Sequence, residues 1–261
     1  MPLSATAKNI RKSIIESAHR AQVPHVGSAL SCVDILTAVY FDYLRLDPWC
    51  ERDIFIMGKA HAALSLYCTL TERGLMARET LLSYCQDNGT LPAHLDRFAA
   101  PGIEVSGGSL GHGLSIGLGM AHGFKLKHED RRVVVLMGDG ETQEGAVWEA
   151  AMFAPKLGLD NITVIIDRNN LQGYGRADDL CSFEPLAAKW EAFGWHVQDI
   201  NGHDHDAIGS ALTEDSHGRP RVIIARTVKG KGVSFMEDQL IWHYYLVTDE
   251  HKRQALEEIA A

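Results

Sequence analysis

The chain has 261 residues, 46% hydrophobic and 23% charged, with a formal net charge of −9. That length allows one large domain or two small ones with a sizeable core. The negative balance argues against a nucleic-acid or anionic-membrane surface. No apolar run approaches a membrane span, and "MPLSATAKNIRKSIIESAHR" at the N-terminus lacks a signal-peptide core, so a cytoplasmic protein is expected. Cys32, Cys50, Cys68, Cys85 and Cys181 are scattered, with no Cys-x-x-Cys pair. Reduced thiols are expected rather than a disulfide or zinc framework.

Residues 4–21 carry helical periodicity, with Ile10, Ile14, Ile15 and Ala18 on one stripe and Lys8, Arg11 and Lys12 on the other. A second helix is predicted over "SCVDILTAVYFDYL", capped by Ser31. "DIFIMG" reads as a short buried strand, followed by a helix from about Ala60 to Arg73. Gln86 to Gly113 is polar and rich in Gly and Pro, which suits loops. "LSIGLGMAHGFKLK" is a Gly/Ala-rich helix suited to close packing, and "RVVVLMGDG" is a strand. A helix over 144–157 and the strand "NITVIID" follow. "WHVQDI" and "RVIIART" are further strands, separated by the helix "DHDAIGSALTED". Strands alternating with helices imply an α/β, doubly wound, mainly parallel sheet in a three-layer α/β/α arrangement. No repeat or linker interrupts it, so residues 1–261 are expected to form a single domain.

Two of the strands end in oxygen-bearing residues where a core would want valine. Gly138-Asp139-Gly140 follows "VVVLM", and Asn169-Asn170 follows "ITVIID" closely. In an open parallel sheet ligands collect at the carboxyl ends of strands. Glycine on either side of Asp139 lets an anionic ligand approach the backbone. A right-handed crossover would bring the second strand end beside the first. One carboxylate and one amide oxygen suit magnesium that already carries diphosphate oxygens. Taken alone, Gly-Asp-Gly is an ordinary strand-to-helix turn, and Gly-x-Gly without a third glycine fails the dinucleotide fingerprint. Gly-Asp-Gly and Asn-Asn together, 28 residues apart and both at strand ends, resemble the thiamine-diphosphate-binding motif.

The resemblance extends along the chain and is to the transketolase family. "GDGETQEGAVWEA", "HVGSALSCVDILTAVYFDYLRLDP", "EVSGGSLGHGLSIGLGMA" and "TVKGKGVSFME…IWH" fall in the order in which transketolases place them. Only the N-terminal, diphosphate-binding part of that family is matched. The chain thus resembles the first subunit of the two-chain transketolases of bacteria and archaea. A second subunit, carrying the pyrimidine-binding and C-terminal domains, is implied as partner, with a dimer of heterodimers as the working assembly.

By this resemblance, Asp139 and Asn169 bind Mg²⁺, or another divalent cation, through side chains and Leu171 through its carbonyl; Gly140 offers its N–H to a phosphate. His61 and His243 reach the diphosphate and the reacting centre of thiamine diphosphate, and Lys229 adds positive charge nearby. Gly108 and Leu110 meet the aminopyrimidine through backbone groups. His25 and His94 handle substrate hydroxyls as acid, base or hydrogen-bond partner. Glu144 matches the buried acid that links two active sites across the dimer, and it also reads as a helix N-terminal glutamate favoured by the macrodipole.

"GHDHD" at 202–206 invites a metal reading, against which Asp204 capping the next helix is preferred. "GKAHA" at 58–62, "AHLDR" at 93–97, His112 and Tyr244 depart from the family pattern, and most neighbour substrate-handling histidines. They bear on the sugar and not on the cofactor. The activity implied is transfer of a two-carbon ketol unit from a ketose to an aldose, with sugars or sugar phosphates as substrates. Three other readings stay open. One is a related thiamine enzyme of different specificity, deoxyxylulose-phosphate-synthase-like or a specialised sugar transketolase. The second is a non-catalytic cofactor-binding subunit. The last is a magnesium-dependent phosphate enzyme, which the lack of a P-loop disfavours.

Overall fold

The computed structural model describes residues 1–260. Helix α1 spans Leu3–Ala21, α2 Val26–Ser31 and α3 Val33–Ala38, the last continued by a wider π turn at Val39–Tyr43. Strand β1 (Ile54–Met57) leads through a 3₁₀ turn into α4 (Ala63–Glu72), and α5 (Arg78–Leu82) is a short satellite. Then come α6 (His112–Leu126), β2 (Val133–Gly138), α7 (Gly145–Lys156) and β3 (Ile162–Arg168). Helices α8 (Ala177–Leu180) and α9 (Leu186–Ala192) precede β4 (His196–Asn201). The chain ends with α10 (His205–Thr213), β5 (Arg221–Arg226) and α11 (Asp249–Ala260).

All five strands pair in parallel, in the order β1-β2-β3-β5-β4. Alternate residues of each strand feed two separate cores, as the period of two requires. Val134 and Leu136 of β2 face α1 to α5, α10 and α11, where Ile10, Leu36 and Ile208 pack. Val133, Val135 and Met137 face α6, α7 and α9, where Leu118, Ala151 and Trp190 pack. The sheet is therefore the middle layer of an α/β/α sandwich, as expected. Each large apolar side chain buried in these cores contributes roughly 1.5–3 kcal/mol.

The glycines of α6 let it lie directly on the sheet. A Cβ on Gly117 would sit 2.7 Å from Val135 Cγ2, and one on Gly113 would sit 3.0 Å from the Cα of Gly58. The predicted cap at Ser31 is not found. The chain is already helical from Val26, breaks at Cys32, and resumes at Val33. The Ser31 hydroxyl is buried and instead donates to Asp167 (2.5 Å), with the Ser28 carbonyl 3.0 Å away. No helix among the described residues is long and apolar enough to cross a membrane, and all five cysteines are free.

Candidate active site

Strands β2 and β3 are neighbours, with Gly138 in register with Asp167. The two oxygen-bearing strand ends therefore lie side by side. Asp139 accepts from its neighbour Gly140 N–H (2.7 Å) through Oδ1 and from Asn170 N–H (2.6 Å) through Oδ2. Asn169 Oδ1 accepts from Leu171 N–H (3.0 Å), while its Nδ2 donates to Asp167 (3.3 Å). These bonds fix the amide with its oxygen away from Asp167. Burial and the nearby Asp167 push the Asp139 carboxyl above its usual range. The Arg168 guanidinium, stacked on Phe183, stands 3.6 Å from Asp139 Oδ2 and works against that shift.

Of the residues singled out in the sequence, His61, His94, Gly108, Leu110, Asp139, Gly140, Glu144, Asn169, Leu171 and His243 line one cavity of about 460 Å³. His25 and Lys229 complete the group. The His25 ring lies 5.0 Å from His243, 5.7 Å from His61 and 6.0 Å from His94, centre to centre. Four imidazoles that are far apart in sequence thus form one cluster. Burial holds His25 down to about 4 and His243 down to about 3, with Lys229 adding to both shifts. Burial, together with Lys59, also lowers His61. These three rings are neutral at pH 7, so each offers one N–H donor and one nitrogen acceptor. His25 has φ 77°, a left-handed conformation costly for a residue with a bulky side chain, and its N–H donates to the His243 carbonyl (3.0 Å). Lys229 Nζ donates to the Leu171 carbonyl (3.1 Å) and to His243 Nδ1 (2.8 Å), and burial lowers it to about 8.

Glu144 is not buried on this chain. It lies between the 3₁₀ turn at Gly140–Gln143 and α7, and is exposed. The turn instead directs Glu141 inward, where it is 1% exposed and accepts from Gly111 N–H (3.0 Å) and Gly138 N–H (3.2 Å). Burial raises its carboxyl to about 7.

Three structural residues went unassigned in the sequence: Glu141, Lys59 and Asp167. Lys59, 1% exposed, forms an ion pair with the fully buried Asp167 and also donates to the Ser28 carbonyl (3.1 Å) and Ser31 Oγ (3.2 Å). Thr227 and Ser31 supply further donors to Asp167. The available signal was a lone aspartate closing the apolar "NITVII". In the "GHDHD" stretch the expected helix cap is present. Asp204 Oδ1 caps α10 by accepting from Asp206 N–H (3.0 Å) and Ala207 N–H (3.1 Å).

The family described as transketolase, thiamine diphosphate binding domain, matches residues 3–254. This chain belongs to the transketolase family. An apulose-4-phosphate transketolase subunit of Phocaeicola vulgatus is 40% identical over 264 residues, covering 99% of this chain and 94% of that protein. The 6-deoxy-6-sulfo-D-fructose transketolase subunit SqwG of a Clostridium species is 38% identical, covering 98% of this chain and 96% of that one. The crystal structure of Campylobacter jejuni transketolase superposes with a TM-score of 0.92 at 28% identity, over 99% of this chain. The chain spans 42% of that longer transketolase.

Among the described residues, no group of three His, Cys, Asp or Glu could hold a metal unaided. Asp139, Asn169 and the Leu171 carbonyl make an incomplete oxygen set. Such a set fits a hard cation that brings further oxygens of its own, as a diphosphate-bound Mg²⁺ does.

Proposed function

We infer that this chain is the N-terminal subunit of a two-chain, thiamine-diphosphate-dependent transketolase, a transferase that moves a two-carbon ketol unit from a ketose to an aldose. The observation that carries this reading is the pairing of Asp139 and Asn169 on adjacent strand ends beneath a cluster of four histidines. Its near full-length likeness to relatives named as transketolase subunits supports the two-chain form. When bound, thiamine diphosphate supplies the carbanion and the electron sink.

This chain's residues do the rest of the work at the diphosphate end. Asp139, Asn169 and the Leu171 carbonyl hold Mg²⁺, or another divalent cation, Lys229 offsets the negative charge, and the neutral His61 offers the diphosphate an N–H. His243 joins Lys229 to the His25 and His61 rings. His25 and His94 bond the sugar hydroxyls, and a neutral His25 can accept or donate there without first losing a proton. Gly108 and Leu110 offer backbone groups to the aminopyrimidine, and Glu144 reaches the second site of the dimer.

Residues 1–261 make up a single diphosphate-binding domain, and the other half of the cofactor's enclosure comes from a partner subunit with pyrimidine-binding and C-terminal domains. Tyr174 is 88% exposed and Tyr244 54%, both lining the cavity, and Ile241 in the turn before Tyr244 is 51% exposed. A rim of exposed large apolar side chains marks a surface meant to be covered. Lys59 is the one Lys or Arg among the described residues lining the cavity, and it is already paired. An anionic group on the sugar, such as a phosphate, is therefore gripped from the partner's side. The assembly is a cytoplasmic dimer of heterodimers. Reconstitution tests the reading: with its partner, thiamine diphosphate and Mg²⁺, the chain should transfer ketol units and elute at about twice the heterodimer mass. A chain that performs the transfer alone at full rate refutes the divided site.

A further inference from the structure

We propose that His203 is a positioning residue that clamps the loop at 227–232, and so aims Lys229 at the cofactor end of the cavity. The His203 ring sits away from that cavity but is bonded at both nitrogens. Nδ1 is 2.8 Å from Asp34 Oδ2, and Nε2 accepts the Val228 N–H at 2.8 Å. A backbone N–H can only donate, so Nε2 carries the lone pair and Nδ1 carries the proton, which it donates to Asp34. The partners thus select one tautomer of the neutral ring.

Asp34 is held in turn by Arg11, through Nη1 (3.1 Å) and Nη2 (2.5 Å), and all three side chains are mostly buried. Arg11 also reaches the same loop, because its Nε donates to the Lys231 carbonyl at 3.1 Å. The triad Arg11–Asp34–His203 therefore grips the loop at Val228 and at Lys231. Gly230 N–H donates to the Gly27 carbonyl (2.9 Å) and adds a third point. Lys229 leaves from the middle of this clamped segment. Its Nζ reaches the Leu171 carbonyl and His243 Nδ1.

A lysine carries four rotatable side-chain bonds, and its ammonium is aimed only as well as its Cα is fixed. None of Arg11, Asp34 and His203 lines the cavity, so the triad acts on the site through Lys229. Partners one step removed from a ligand-binding group set that group's orientation and are costly to lose. The inference rests on the reading above that Lys229 serves the diphosphate end.

The experiment measures thiamine diphosphate affinity with Mg²⁺ by calorimetry on the reconstituted two-subunit complex, with thermal midpoints recorded in parallel. Two substitutions separate the ring's two bonds. His203→Asn keeps a donor near the position of Nδ1 but cannot reach Val228. His203→Gln places its carbonyl oxygen near the position of Nε2 and keeps the acceptor for Val228. His203→Asn should weaken cofactor binding by about tenfold, and His203→Gln should recover most of that loss. In a Lys229→Met background, His203→Asn should weaken binding no further. Unchanged affinity in His203→Asn overturns the proposal. So does a parallel fall of affinity and midpoint in both His203 variants, or a loss that multiplies with that of Lys229→Met. If Lys229→Met itself leaves affinity intact, the role given to Lys229 fails first and takes the clamp's purpose with it.

Discussion

Replacing Lys59 with methionine should destabilise the protein by leaving Asp167 buried without its cation. Breaking a buried ion pair by removing one member costs about 3–5 kcal/mol. Ser31, Thr227 and Asn169 still donate to Asp167, which places the expected loss near the lower end, about 3 kcal/mol. With an unfolding entropy of roughly 2.1 cal/mol/K per residue, a chain of this length loses about 5 °C in its midpoint. The deficit should depend on pH. In the native pair Lys59 holds the Asp167 carboxyl below its usual range against the cost of burial. A depressed folded value means stability that is fully present above the unfolded carboxylate value, about 3.9, and lost as pH falls through the folded value. In Lys59→Met the same carboxyl rises instead, so protonation relieves the variant as the pH is lowered. The gap between the two proteins is therefore widest at neutral pH and narrows toward pH 4. Lys59→Met/Asp167→Asn removes the buried charge altogether and should recover most of the loss. Urea unfolding of the wild type, both single variants and the double variant at pH 7 and pH 5 measures this. A double variant as unstable as Lys59→Met would refute the reasoning.

Glu141, held up to about 7 by burial, binds a proton in the folded state that the unfolded chain has released above about 4.3. Stability should therefore fall as pH rises from about 4.3 through 7, and urea midpoints of Glu141→Gln should lack that slope. Asp139→Ala removes the one carboxylate from the proposed metal set, so calorimetry should find no Mg²⁺-dependent cofactor binding in the reconstituted enzyme; retained binding rejects the assignment. His25→Ala and His94→Ala should each lower turnover while cofactor affinity stays nearly constant, and equal losses of both would assign them to the cofactor. Asp204→Ala removes two accepted N–H bonds at the start of α10 and should cost about 1 kcal/mol in thermal or urea unfolding.

The parallel sheet was legible because apolar runs of strand length alternate with helix-period stretches, and the strand ends were legible because Gly138-Asp139 and Asp167 close those runs, with Asn169 just beyond. What was hidden depends on contacts between distant segments. Nothing near Ser31 announces that its hydroxyl meets Asp167, so a capping role looked natural. Glu141 lies in the 3₁₀ turn and Glu144 directly after it. Only the 3₁₀ geometry, and the N–H groups of Gly111 and Gly138, decide which one is buried. The short helix α9 and the polar α11 carried no strong pattern and went unassigned. The histidine cluster could be gathered in advance only by family resemblance, since its members come from residues 25 to 243.

The two oxygen-bearing positions belong to one compact β2-α7-β3 unit within residues 133–168 and the turn just after it. Their spacing is set by ladder register, which cannot shift by one residue without turning the slipped strand's side chains to the wrong face. The histidines instead come from a helix start, one loop and two 3₁₀ turns. Loops drift independently of each other, and insertions there cost little. The molecule thus sets one part of the site by ladder register and the other by the course of separate loops and turns. An exchange at an exposed rim position such as Tyr244 therefore leaves the spacing of Asp139 and Asn169 untouched.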